Sequence, residues 1–265
     1  MAEYTTKLAE DEVLRLENLS IHFGGLKAVD DLSFAIKEKE IFGLIGPNGA
    51  GKTTAFNCIT QFYKPSSGAV YFRNKDGQVE NLVGQPVHSI IRKGLVRTFQ
   101  NVELVGELSI IDNVLIGGHI DFKASGFEQA LRLPRARREE KQMREKAEDV
   151  LRFMGIAELK DALVVGQPYG IRKKVEMART LMCNPKLIIL DEPTARLGIS
   201  EIETFLDYMK YPRSLGKTLI LISHKLDEIF AVCDDVTVLR DGAVVARHSI
   251  ADITVDQLIK EMVNR

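Results

Sequence analysis

The stretch Gly46-Pro47-Asn48-Gly49-Ala50-Gly51-Lys52-Thr53, followed by Thr54, restricts the fold of this chain more than any other. It has the form G-x-x-x-x-G-K-[ST]. It follows an apolar run, Ile41-Phe42-Gly43-Leu44-Ile45, and opens a helical one. A strand that turns through glycines into a helix is the setting in which this pattern holds phosphate. Glycine lets the backbone curl so that successive N–H groups converge on phosphate oxygens, where a Cβ would intrude. The helix that begins near Gly51 adds its partial positive charge. Lys52 is expected to reach the β- and γ-phosphates, and the Thr53 hydroxyl to hold Mg²⁺. The pattern therefore predicts binding of a nucleoside triphosphate.

A chain of 265 residues suffices for one large domain or for a core with a subdomain. Its 36 basic and 37 acidic residues nearly cancel. The basic excess of a nucleic-acid-binding face is missing, so no nucleic-acid partner is expected. Cys58, Cys183 and Cys233 are far apart and show no C-x-x-C spacing. Reduced thiols are expected, rather than disulfides or zinc ligands. The N-terminal residues lack a basic segment followed by an apolar one, and runs such as Leu219-Ile220-Leu221-Ile222 are too short to span a bilayer. A cytoplasmic chain follows, which leaves docking onto a membrane protein open.

Alternation of apolar and polar residues predicts strands over 13–19 and 31–36, and the apolar run 41–45 reads as a buried strand. A helix is expected from Gly51 to about Thr60, a turn at Lys64-Pro65-Ser66-Ser67-Gly68, and a strand at Ala69-Val70-Tyr71-Phe72. Residues 96–100 read as the end of a further strand. From about 103 to 163 the pattern is helical and includes a charged stretch, 135–148, whose mixed signs suit a solvated helix face with pairs such as Glu140–Arg144. Strand–helix alternation returns with Leu187-Ile188-Ile189-Leu190, a helix from Ser200, a strand over 218–222 and a helix from Lys225. Such alternation predicts an α/β core with a mainly parallel sheet, the helical middle being an inserted subdomain.

A second phosphate-site element stands at Leu187-Ile188-Ile189-Leu190-Asp191-Glu192. Asp191 closes a buried strand at the sheet end where ligands collect in open α/β folds. It is expected to hold Mg²⁺ through water. Glu192 follows and is placed to polarise an attacking water as a general base.

With Thr98-Phe99-Gln100, Pro168-Tyr169-Gly170, Asp191-Glu192-Pro193-Thr194 and Ser223-His224 following the phosphate loop in order, nearly the whole chain resembles an ABC-type ATPase, the nucleotide-binding subunit of a transporter. The resemblance implies a P-loop NTPase core with an N-terminal antiparallel β subdomain and an inserted α-helical subdomain. The core would take residues 1–103 and 166–265, and the helical subdomain 104–165. It further implies that Phe23 stacks on adenine, that Gln100 senses Mg²⁺ and the water, and that His224 contacts the γ-phosphate. The partners implied are a second ATPase subunit, identical or related, in a head-to-tail dimer with ATP at the interface, and an integral membrane permease. A solute-binding protein would take part indirectly. The chain would then lie at the inner face of the cell membrane.

Within this resemblance the signature segment departs from the usual Leu-Ser-Gly-Gly-Gln. Here it reads Gln167-Pro168-Tyr169-Gly170-Ile171. Pro168 offers neither hydroxyl nor N–H, so contact with the partner's γ-phosphate falls to Gly170 and the following helix start. Pro168-Tyr169-Gly170, the run Phe23-Gly24-Gly25-Leu26-Lys27-Ala28-Val29 and Arg97-Thr98-Phe99-Gln100-Asn101 are similar to ATPases of branched-chain amino-acid importers. Ser223-His224-Lys225-Leu226-Asp227-Glu228, Leu239-Arg240-Asp241-Gly242 and Met262-Val263-Asn264-Arg265 instead resemble those of simple-sugar importers. After Thr194-Ala195, where the family has Gly-Leu and then Asp or Asn, this chain has Arg196-Leu197-Gly198. Slower hydrolysis with ATP binding retained is the expectation, and a degenerate regulatory subunit is its extreme form. A soluble ATPase acting on DNA or ribosomes would need a long coiled coil, zinc cysteines, a basic face or a second core, none of which the sequence shows.

Overall fold

Ile41–Ile45 has no polar face, and all five residues are buried. A strand apolar on both sides must be central in its sheet, and this one is. The computed structural model describes residues 8–98, 103–121 and 133–263. These form two compact units, one of Met1–Arg97, Lys186–Pro193 and Met209–Arg265, the other of Thr98–Pro185 and Thr194–Tyr208.

The first unit carries strands β1 (Glu12–Phe23), β2 (Leu26–Lys37), β3 (Ile41–Ile45), β4 (Ser67–Arg73), β5 (Val79–Asn81), β6 (Leu95–Arg97), β7 (Leu187–Asp191), β8 (Thr218–Ile222), β9 (Asp235–Arg240) and β10 (Ala243–Ser249). They make a four-stranded antiparallel sheet, β2-β1-β4-β5, and a six-stranded sheet, β10-β9-β3-β8-β7-β6. The larger sheet is parallel except at its β10 edge. The expected mainly parallel core and antiparallel subdomain are thus present. One apolar core joins inward residues of both sheets (Leu14, Leu32, Phe72, Leu44, Ile189, Ile220) with Ala55, Phe56 and Ile59 of the helix Lys52–Ile59. Phe34 and Phe42, one from each sheet, stack with ring centroids 5.4 Å apart.

Several elements are longer or shorter than apolar alternation predicts. β1 and β2 run on to pair Phe23 with Leu26 across a Gly24-Gly25 turn. That end is exposed, Leu26 by 66%, so backbone pairing holds it without a hydrophobic pattern to reveal it. The strand expected over 96–100 is Leu95–Arg97. β9 and β10 form a hairpin about Asp241 (φ 49°) and Gly242 (φ 82°). Two left-handed residues in an Asp-Gly pair suit a tight hairpin turn, a signal present in the sequence but unread there as structure.

In the second unit the helices Ile110–Gly118, Pro134–Phe153 and Tyr169–Met182 pack on one another. Val175, Ala178, Leu181 and Met182 turn inward on the last of these, as their helical spacing predicts. Gly117 allows the closest approach: a Cβ there would lie 2.0 Å from the Arg179 carbonyl oxygen. On the charged helix, Arg135–Glu139 (3.6 Å) and Lys141–Glu145 (3.7 Å) are the i,i+4 pairs, while Arg144 reaches Asp161 (3.8 Å) rather than Glu140. No helix among the described residues is long and apolar enough to cross a membrane.

Candidate functional site

Two glycines of the loop after β3, Gly46 and Gly51, leave no room for a side chain. Gly51, at the N-cap of the helix Lys52–Ile59, has φ 94°, and a Cβ on it would sit 2.6 Å from the Ala28 carbonyl oxygen. A Cβ on Gly46 would sit 2.1 Å from that of Leu239. Any larger residue would therefore have to move backbone rather than a flexible side-chain end. Around this loop lies a cavity of about 500 Å³, lined by Asn48 to Thr54, by Leu26, Lys27 and Ala28, and by Glu192, Asp241 and Gly242. Gly242 is locked against the loop, its N–H donating to the Ala50 carbonyl (3.1 Å) and its carbonyl accepting from Asp30 N–H (2.9 Å). Residues 26–28 and 241–242 went unrecognised as site residues in the sequence, because their contribution depends on which loops the sheet order brings together.

Lys52 is buried, and its ammonium donates to the carbonyls of Gly46 (2.6 Å) and Pro47 (2.9 Å). Burial lowers its pKa, while the negative charges of Glu192 and Asp191 act against that loss. The ammonium is thus held within the loop that the sequence reads as a phosphate cradle.

The carboxylates arrive from β7. Its register with β8 sets Asp191 opposite Ile222, so the residues that follow, Glu192 and Ser223-His224, leave the sheet at one edge. Glu192 has φ 44°, and its N–H bonds the Ile222 carbonyl at 2.9 Å. Its Oε1 lies 2.9 Å from His224 Nδ1. An ionised carboxylate only accepts, so Nδ1 carries the proton in this pair and Nε2 is left for another partner. The turn bearing His224 is braced by Ser223, whose hydroxyl donates to buried Glu228 (2.9 Å) and accepts from Lys225 N–H (3.0 Å). Asp191 is buried and accepts a hydrogen bond from Arg97 Nη2 at 2.6 Å.

Of the residues expected to act, the structure gathers Asn48 to Thr54 and Glu192 about one cavity, with His224 against Glu192 and Asp191 at the adjoining strand end. Phe23 is 47% exposed on the β1–β2 hairpin, edge-on to Tyr63 at 5.4 Å, and is not part of the cavity lining. Gln100 lies outside the described residues. Pro168, Tyr169 and Gly170 belong to the second unit: Pro168 is the N-cap of the helix Tyr169–Met182 and Gly170 is buried. Glu201 crowds Gly170 so closely that a Cβ there would meet its carboxylate oxygen at 2.2 Å.

The donor set suits a nucleotide with Mg²⁺. A backbone cradle closed to side chains, a buried lysine and threonine hydroxyls match phosphate oxygens. A hydroxyl and a carboxylate are the hard oxygen donors that Mg²⁺ takes together with water and phosphate.

Comparison with known proteins bears on the same residues. A model of the family described as ABC transporter matches residues 29–195. The chain is 35% identical over 247 residues to the high-affinity branched-chain amino acid transport ATP-binding protein BraF of Pseudomonas aeruginosa, covering 93% of each chain. It is 34% identical to the ribose import ATP-binding protein RbsA 2 of Burkholderia cenocepacia, over 96% of this chain and 47% of that one. The crystal structure of the ADP conformation of MJ1267, an ATP-binding cassette of an ABC transporter, aligns with a TM-score of 0.79 at 29% identity, over 96% of this chain and 99% of that one.

Proposed function

This chain belongs to the ABC transporter family, and we propose that it is the ATP-hydrolysing subunit of an import system, energising a membrane permease through closure of a nucleotide-bound dimer. The observation that supports the reading is the 2.9 Å contact of Glu192 with His224, Glu192 lining the same cavity as the Lys52 loop. Glu192 takes the proton of the attacking water. His224 fixes the Glu192 carboxylate through Nδ1–H, and with a proton on both ring nitrogens it would also donate through Nε2–H to the γ-phosphate. Lys52, the loop N–H groups and the helix N-terminus offset phosphate charge as it shifts toward the leaving group. Mg²⁺, held by Thr53 and by Asp191 through water, supplies further charge neutralisation when bound. Phe23 stacks on adenine, and Gln100 senses the metal and the water.

Pro168, Tyr169 and Gly170 at the N-terminus of their helix close the phosphate site of a second subunit, identical or related, in a head-to-tail dimer. The chain would sit peripherally on its permease at the inner face of the membrane, with a solute-binding protein delivering cargo. Branched-chain amino acids or a related small polar solute are the cargo favoured by the likeness to BraF, and a simple sugar is the alternative favoured by the likeness to RbsA 2. Mg-ATP hydrolysis by the purified chain is expected to rise faster than linearly with protein concentration, since two subunits complete each site. A strictly linear rate would count against the shared site.

Arg196 stands where the family has glycine, and its φ is 66°. A long cation is thus held in the left-handed region at a cost of about 1–3 kcal/mol. Gly198, where Asp or Asn is usual, has no side chain to offer; its N–H donates to the Glu201 carboxylate at 2.9 Å and its carbonyl accepts from the N–H groups of Glu201 (2.9 Å) and Ile202 (3.1 Å). These two positions favour slowed turnover. The double substitution Arg196→Gly with Gly198→Asp is expected to raise the hydrolysis rate while leaving ATP affinity in place; an unaltered rate would refute the link.

A further inference from the structure

We propose that Arg97 is a positioning residue for the metal carboxylate, locking Asp191 to the helix of the phosphate loop so that its remaining oxygen is preset for Mg²⁺. The inference rests on the nucleotide-binding reading above and assigns a role to a residue that reading does not use.

Arg97 ends β6 and is paired with Ile189 of β7. Asp191, two residues further along β7, shares the face of Ile189, so the long arginine side chain reaches it along the sheet. Nη2 donates to Asp191 Oδ2 at 2.6 Å, and Nη1 donates to Asn57 Oδ1 at 2.6 Å. Asn57 lies on the helix Lys52–Ile59, which opens from the phosphate loop. The arginine and aspartate side chains are only 9% and 8% exposed. Arg97 Nε has no partner among the described residues, so its two terminal nitrogens carry the whole anchorage.

A planar guanidinium with two directed donors fixes both the charge and the rotation of the carboxylate it holds. With Oδ2 engaged, Oδ1 is the acceptor available to the hydration shell of a metal. Lysine at this position would supply a charge but a single nitrogen, unable to span Asp191 and Asn57 in the same way. The arrangement corresponds to the outer partners of metal ligands elsewhere, whose loss weakens metal binding about 10–100-fold.

The test is binding of a fluorescent ATP analogue, MANT-ATP, to the full chain, first with EDTA and then across a Mg²⁺ titration. Arg97→Gln is expected to raise the Mg²⁺ concentration for half-maximal enhancement about 10-fold, with the affinity in EDTA unchanged. Arg97→Lys should raise it less, and Asn57→Ala should also raise it, because Asn57 steers the guanidinium. Should Arg97→Gln fail to fold, the lysine and alanine variants decide the matter, each expected to shift the midpoint. Midpoints equal to the unmodified chain would overturn the role of Arg97 alone. An unmodified chain whose nucleotide binding ignores Mg²⁺ would overturn the metal reading and this role with it.

Discussion

Replacing Glu192 with glutamine is expected to lower Mg-ATP turnover roughly 10²–10⁴-fold, the usual share of a general base. Glutamine keeps the size of the side chain, and its carbonyl oxygen still accepts from His224 Nδ1, 2.9 Å from Oε1 in the native pair. What disappears is a group able to take a proton from water. The glycine turns, Lys52 and Thr53 are untouched, so nucleotide affinity should persist and the closed dimer should accumulate with uncleaved ATP. Single-turnover hydrolysis and gel filtration in Mg-ATP check both halves. A variant that hydrolyses at the native rate would remove Glu192 from the chemistry. Loss of nucleotide binding along with the rate would instead assign Glu192 to holding the loop.

The largest expected effect on stability comes from a buried ion pair in the second unit. Lys173 and Glu176, one turn apart on the helix Tyr169–Met182, are bonded at 3.0 Å with side chains only 1% and 4% exposed. Two charges this deep are tolerated because each neutralises the other. Glu176→Leu would leave a lysine ammonium in the core of the second unit, at a cost of about 3–5 kcal/mol. A fall in Tm on the order of 10 °C is expected from that cost. The pair itself contributes little net stability, because both ions lost their water on folding. Lys173→Met combined with Glu176→Leu should therefore recover most of the loss. Thermal melts of the single and double variants decide it. A double variant as unstable as the single one would show that hydrogen bonds of Glu176, rather than charge pairing, hold the helix.

The parts of the site that are contiguous in sequence were legible without coordinates. The run Gly46 to Thr53 predicts its own turn, because glycines at left-handed angles and a helix start are local properties of the chain. Asp191 could be placed at a strand end because four apolar residues precede it. His224 could be placed the same way, after Leu219 to Ile222. Less legible was structure held by backbone pairing at exposed positions. The last residues of β1 and the first of β2, His22-Phe23 and Leu26-Lys27, are all exposed, so apolar alternation stops short of the hairpin that presents Phe23. Arg196 read as an odd charge in the sequence, and only its φ of 66° shows that the backbone there still has the conformation a glycine would adopt freely.

The sequence by itself determined a phosphate-binding loop between a strand and a helix, a carboxylate pair closing a second strand, and the order of motifs that marks the family. Each of these follows from residues within a few positions of one another, where steric and hydrogen-bonding preferences act directly. Tertiary structure alone decided what meets across the sheet. The order β3-β8-β7-β6 and its parallel register bring His224 to Glu192 from 32 residues away and Arg97 to Asp191 from 94. Such meetings depend on how whole strands pair, and no local preference in Arg97 or His224 specifies its partner.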